Sequence, residues 1–189
     1  MSELSNYIDD GIEARRSIDL EKVTSFARIL YDSLMKGGKL IVFGNGGSAA
    51  DAQHFAAELT GHFYMDREAL PAIALSTNSS AVTAIANDYS FDSIFERQVD
   101  AFCKAEDVVV GISTSGNSQN IINGIAKARS LGARTFALTG RSGGRLAETA
   151  DDAFRAQSDS TPIIQEVHIT FIHMVCLLLD KFLQSDSPL

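Results

Sequence analysis

The chain has 189 residues, 45% of them hydrophobic and 21% charged, with a net charge of −8. That balance predicts one folded globular unit and excludes a disordered chain, and the acidic surplus argues against a general nucleic-acid binder. No run approaches the ~18 apolar residues of a membrane span, and the opening MSELSNYIDDGIEARRS lacks the apolar stretch of a signal peptide, so a cytoplasmic protein without a membrane partner is expected.

The first 36 residues are helical in pattern: Leu4, Ile8 and Ile12 recur every four residues. Val23, Phe26, Ala27, Leu30 and Leu34 continue the spacing in a second segment, which Gly37-Gly38 ends. Strands and helices then alternate. Leu40–Phe43 reads as a strand and Ser48–Thr60 as a helix. Ala72–Leu75 is a short strand, followed by helical segments over Ser80–Ala86 and Asp92–Cys103. Asp107–Ile112 is a third strand, Ser118–Leu131 a helix and Thr135–Leu138 a fourth strand. A short helix covers Gly144–Ala150, Asp152–Arg155 is an edge strand, and a helix from Pro162 to Leu183 follows, with proline well placed in its first turn. Continuous apolar strands separated by helices require a parallel sheet covered on both faces. Cys103 and Cys176 have no CxxC spacing and read as buried free thiols within helices.

Two turns rich in small residues carry most of the functional signal. Gly44-Asn45-Gly46-Gly47-Ser48 follows the first strand, and Ser113-Thr114-Ser115-Gly116-Asn117-Ser118 follows the third. Each joins a buried strand to a helix, where free backbone N–H groups and the positive helix end can hold a phosphate. Neither fits a nucleotide fingerprint, since GxxxxGK[ST] and the third glycine of GxGxxG are both absent. An ordinary tight turn is the competing reading for each.

On the helix after the first turn, His54 and Glu58 are four apart and share a face with each other; Asp51 precedes them. Asp51 reads first as a carboxylate of the opening turn that stabilises the helix dipole. On the long late helix, Gln165 and His173 are eight apart and also share a face, with His168 between them in sequence. That helix is apolar almost all round, so a polar group inside it needs a partner. The plain alternatives are a solvated ion pair for His54 and Glu58, a satisfied core histidine for His173 and a backbone-bonded amide for Gln165. Together these groups suit a metal site or an acid–base site.

Gly44 through Gly61 (GNGGSAADAQHFAAELTG) resembles the bacterial phosphoheptose isomerases, within the sugar isomerase (SIS) domain family. So do Gly111 through Ser118 (GISTSGNS), Leu138-Thr139-Gly140 with Gly143-Gly144, and Ile164-Gln165-Glu166-Val167-His168 onward to His173. The resemblance implies an α/β protein, a three-layer α/β/α sandwich with a flavodoxin-like five-stranded parallel sheet and N-terminal helices. Residues 1–36 would be helices that pack in the oligomer and 37–189 the SIS domain, one structural unit overall. It implies that Ser48, Ser113, Thr114, Ser115 and Ser118 hold a sugar phosphate beside Asn45, Gly46 and Gly47. Asn87, Asp88, Glu58 and Gln165 would contact the sugar, although a simple turn pair is the rival reading for Asn87-Asp88. It implies zinc held by His54, Glu58, Gln165 and His173. The implied reaction interconverts sedoheptulose 7-phosphate and D-glycero-D-manno-heptose 7-phosphate, the first step of nucleotide-activated heptose synthesis for lipopolysaccharide or other surface glycans. An ene-diol route would use Glu58 and His173 for proton transfer. A homotetramer with sites at subunit interfaces is implied as well.

Two positions depart from the family pattern. His62 stands where an arginine often follows Leu-Thr-Gly, and Pro162-Ile163 stand where an arginine often approaches Ile-Gln-Glu. A second reading is a non-catalytic relative that binds a replication initiator; such relatives lack the glutamate and late histidine, which are both present here. A phosphosugar-sensing regulator would need a DNA-binding segment that this sequence does not carry.

Overall fold

The computed structural model describes residues 2–185. Two helices come first, α1 (Ser2–Arg16) and α2 (Leu20–Met35), followed by β1 (Leu40–Gly44), α3 (Gly47–Thr60), β2 (Ala72–Ala74) and α4 (Ser79–Asp88). A 3-10 turn over Phe91–Ser93 leads into α5 (Ile94–Phe102), β3 (Val108–Ser113) and α6 (Gln119–Ser130). The order ends with β4 (Arg134–Thr139), α7 (Gly144–Thr149), β5 (Asp152–Arg155) and α8 (Thr161–Ser185). The five strands form one parallel sheet in the order β2-β1-β3-β4-β5, as the alternation of strands and helices predicted. β1 and β3 lie side by side, with Gly44 opposite Ile112. The turns that leave these two strands therefore emerge next to each other, at the point where the strand order reverses.

Each face of the sheet is sealed by its own apolar cluster. On one side Leu40, Val42, Val110 and Phe136 pack with residues of α2, α3 and α8; on the other Ile41, Phe43, Val109 and Ala137 pack with residues of α5, α6 and α7. Phe171 of α8 joins rings from three other elements. Its centroid lies 4.5 Å from Phe154, 5.9 Å from Phe136 and 6.0 Å from Phe26. By length and composition α8 could cross a membrane, which the count of uninterrupted apolar residues did not reveal. In the fold its apolar side is spent on α2, α3 and the sheet.

The N-terminal capping of α2 is local: the Asp19 carboxylate accepts from the backbone N–H of Glu21 and Lys22 at 3.0 and 3.1 Å. α1 is held differently. The Tyr7 hydroxyl donates to Glu166 at 2.6 Å and Arg15 pairs with the same carboxylate at 2.8 Å. Its apolar stripe stays uncovered within one chain, with Leu4 78% and Ile8 59% exposed. One cysteine departs from expectation. Cys176 is buried in α8, but Cys103 is half-buried just beyond α5, which ends at Phe102 as the backbone turns extended. Burial raises both thiols, Cys103 to about 11, so neither is a thiolate near neutrality.

Replacing Phe171 by alanine removes a ring that joins α8 to the sheet and to α2. The expected loss is about 3–5 kcal/mol in urea unfolding, the range for large core deletions.

Candidate active site

The two turns are joined by a reciprocal amide pair. Asn45 Nδ2 donates to Asn120 Oδ1 at 2.9 Å, and Asn120 Nδ2 donates back to Asn45 Oδ1 at 3.0 Å. Asn120, in the first turn of α6, is buried. Sequence reading passed over it, and its only signal was a polar residue at a core-facing position of a helix. In the first turn Gly46 caps α3 at φ +55°, and no side chain caps it. In the second, Ser118 occupies the cap position of α6, yet its hydroxyl lies 3.1 Å from Ser113 Oγ instead of bonding the helix. Ser115 Oγ lies 3.5 Å from Ser113 Oγ on the other side. Three hydroxyls thus converge beside a helix N-terminus. Gly116 closes the turn at φ +66°, with its Cα so near the Gly143 carbonyl that no Cβ would fit. Ser48 is buried at the start of α3, and Thr114 braces the turn by accepting the Gly140 N–H at 3.0 Å.

A second group forms between α3 and α8. His54 Nε2 lies 2.8 Å from Glu58 Oε1 and 3.4 Å from His173 Nε2. One ligand atom from each of the three residues lies within 4.8 Å of the others. Zinc ligands about 2.0–2.1 Å from a tetrahedral ion stand about 3.3–3.5 Å apart, which the two imidazole nitrogens match. Two imidazoles and a carboxylate are a suitable donor set for zinc and leave a fourth position open. Burial pushes the His173 pKa below its usual value, the neighbouring His54 adds to this, and Glu58 opposes it. A neutral imidazole, able to ligate or to accept a proton, follows at neutral pH. The Phe63 ring packs against His173 at 5.6 Å between centroids.

The remaining expected residues are placed as follows. Gln165 lies against Gly47, where a Cβ on the glycine would overlap its amide. Among the described residues no hydrogen bond joins Gln165 to either imidazole. Asn87 and Asp88 end α4, exposed and bonded to each other at 2.8 Å. Asp51 is not in the opening turn of its helix: α3 starts at Gly47, so the carboxylate lies beyond the free N–H groups. Its Oδ2 is buried without a partner among the described residues, and burial pushes its pKa to about 6, against the pull of His54. His62 and Pro162 are exposed and Ile163 is buried.

Two further features escaped sequence reading. Arg67 and Asp180 form an ion pair at 3.0 Å with each side chain only 6% exposed. His168, fully buried, has Nε2 3.0 Å from the Thr139 carbonyl, which that N–H donates to, while Nδ1 has no partner among the described residues. A lone charge in a loop or a lone histidine on an apolar helix gives no hint of its partner.

Comparison with known proteins places these features in a family. Residues 6–140 match the SIS domain. A protein of Thermoplasma acidophilum named "Probable phosphoheptose isomerase" is 57% identical over 93% of this chain and 96% of its own length. The phosphoheptose isomerase of Geobacter sulfurreducens is 56% identical over 85% of each chain. The solved structure of a phosphoheptose isomerase from Neisseria gonorrhoeae superposes with a TM-score of 0.90 at 42% identity, covering 95% of this chain and 98% of that one.

The buried imidazole predicts an acid response. Desolvation pushes His168 down to about 4, although its bond to Thr139 opposes the shift. The unfolded histidine takes a proton near 6.5, so the unfolded state binds more protons between those values. The stabilisation is complete above about 6.5 and is lost as pH falls toward 4, by up to about 3 kcal/mol. Urea unfolding of His168→Asn from pH 7.5 to 4.5 is expected to lack this component of the wild-type decline.

Proposed function

The chain belongs to the SIS domain family and is an isomerase within it, and we propose that it interconverts sedoheptulose 7-phosphate and D-glycero-D-manno-heptose 7-phosphate. The observation that carries this reading is the placement of the two groups along α3. Gly47, at the phosphate-binding end, and His54 are seven residues apart, a rise of about 10 Å along a helix. Six carbon–carbon bonds of an extended seven-carbon sugar project about 7 Å, and the ester link to phosphorus adds about 2–3 Å. A phosphate held at the turns therefore brings the carbons at the far end of the sugar to His54, Glu58 and His173.

In this reading the hydroxyls of Ser48, Ser113, Ser115 and Ser118, with Thr114 and the backbone of Asn45, Gly46 and Gly47, hold the phosphate. Charge is supplied by helix ends and hydroxyl dipoles, since neither turn contains lysine or arginine. Gln165, beside Gly47, orients the sugar between the two ends, and Asn87 and Asp88 reach its hydroxyls. Glu58 removes the proton from the carbon next to the carbonyl, and His173 carries the proton that the neighbouring oxygen gains or loses as the ene-diol forms. His54, Glu58 and His173 would hold zinc, with a substrate oxygen in the open position, since Gln165 lies against Gly47. When bound, the metal would polarise the substrate oxygens. Neither Glu58 nor His173 can hold the metal and take a proton through the same atom at once, so exchange of each group between the two tasks is part of the proposal. A cytoplasmic, homotetrameric enzyme is the matching assembly: the uncovered Leu4, Ile8 and Ile12 stripe of α1 offers an apolar contact, whereas α2, the other helix of residues 1–36, already buries its apolar face in this chain's own core. The initiator-binding alternative has no comparable support, because it assigns no task to the His54, Glu58 and His173 group.

Turnover of sedoheptulose 7-phosphate by the purified protein tests the reading. Glu58→Gln and His173→Ala are each expected to lower kcat by about 10²–10⁴-fold while circular dichroism is unchanged. Removal of metal with a chelator is expected to lower turnover, and added zinc to restore it. Light scattering at micromolar concentration is expected to give a tetramer, and Ile8→Glu to shift it toward smaller species.

A further inference from the structure

We infer that the buried Arg67–Asp180 ion pair is a positioning device that holds Glu58 opposite His173; which atoms it must position rests on the isomerase reading. Asp180 lies on α8 seven residues after His173, two turns along the same face. Arg67 comes from the segment between α3 and β2. Its Nε donates to Asp180 Oδ1 at 3.0 Å, and one terminal nitrogen donates to the Glu58 carbonyl at 2.9 Å. The other donates to the carbonyls of Leu59 at 3.0 Å and Glu68 at 3.1 Å. Asp180 Oδ2 accepts the backbone N–H groups of Tyr64 and Met65, both at 3.0 Å.

The arrangement has a specific consequence. α3 ends at Thr60, so the Glu58 and Leu59 carbonyls are among the last four that no intrahelical N–H reaches. Arg67 supplies a donor to the Glu58 carbonyl, shares the Leu59 carbonyl with the Leu70 N–H at 2.9 Å, and ties both to α8. The residue whose carboxylate meets His54 is thus held through its own backbone to the helix that carries His173. The same pair draws in the 61–65 segment, and Phe63 from that segment packs on the His173 ring. A guanidinium is suited to the task because its planar fork reaches four acceptors in fixed directions, which an ammonium cannot. A buried ion pair is weak evidence for stability, since apolar replacements are often neutral; fixing one register between two elements is its best-attested use.

The test compares Arg67→Gln, Asp180→Asn and Arg67→Lys with Ile94→Ala, a core change on the opposite face of the sheet that lowers the melting temperature without touching the site. On the purified full-length proteins, zinc Kd, kcat and KM for sedoheptulose 7-phosphate, melting temperature and a crystal structure are measured. Arg67→Gln and Asp180→Asn are expected to weaken zinc binding and lower kcat by about 10–100-fold, the effect of losing outer contacts around a metal site. KM should change little, because the phosphate turns lie at the other end of α3. Arg67→Lys should fail to restore kcat, and Ile94→Ala should keep wild-type kcat and Kd. Wild-type Kd and kcat in folded Arg67→Gln and Asp180→Asn would overturn the inference, as would equal losses in Ile94→Ala. Should those two variants not fold, Arg67→Lys decides by the same readings. A wild-type protein without turnover on the heptose phosphate would sink the isomerase reading and leave the zinc Kd to judge the pair. If zinc does not bind either, the variant crystal structure judges it: a wider Glu58–His173 separation supports the device, and an unchanged one removes it.

Discussion

Close packing of α3 against α8 governs the chemistry available to this molecule. α3 is built from small residues, with Gly47, Ala49, Ala50, Ala52, Ala56 and Ala57 among its fourteen. Small side chains let the two backbones approach, and Gly47 goes furthest, since its missing Cβ makes room for the Gln165 amide. Farther along the same contact His54 and Glu58 meet His173, and beyond them Arg67 links the end of α3 to Asp180. Three polar groups in succession thus occupy one helix–helix seam. A larger residue on the side of α3 that faces α8 would separate all of them together.

The electrostatics follow the same economy of local means. The chain is acidic overall, at −8, yet the proposed ligand is a dianion. Bulk charge acts over the Debye length of about 8–10 Å and is screened by salt, whereas aligned N–H groups and hydroxyls act within hydrogen-bond distance. The Ser113, Ser115 and Ser118 cluster beside α6, and the uncapped start of α3, supply such groups. The Asn45–Asn120 pair holds the two turns in register, so that one phosphate can meet both. Where a polar group faces inward without a countercharge, burial favours its neutral form, as at His168.

Much of the architecture was legible before any coordinates. Apolar runs located four of the five strands, and the polar-ended Asp152–Arg155 reads as an edge strand; β2 alone is shorter than expected, by one residue. The boundaries that moved did so for local reasons. α3 opens at Gly47 because the positive φ of Gly46 turns the chain one residue earlier, and that shift removes Asp51 from the opening turn. The segment before α5 tightens into a 3-10 turn over Phe91–Ser93, and α5 stops before Cys103. In the candidate site, the His54–Glu58 pair was visible because helix periodicity dictates it. Asn120, Arg67 and Asp180 were not, because each is defined by a partner more than seventy residues away.

By itself, then, the sequence determined whatever depends on near neighbours: the alternation of strands and helices, the hydroxyl-rich turns at strand ends, and which polar residues share a helix face. These follow from rotamer, turn and hydrogen-bond preferences that act over a few residues. The tertiary structure alone decided which faces meet. It set His173 3.4 Å from His54, placed Gln165 over the start of α3 instead of hydrogen-bonding it to the imidazoles, and matched Asp180 to a loop arginine. Those distances depend on how closely two helices pack and in what register, which the side chains on both sides of the seam set jointly and no single segment encodes.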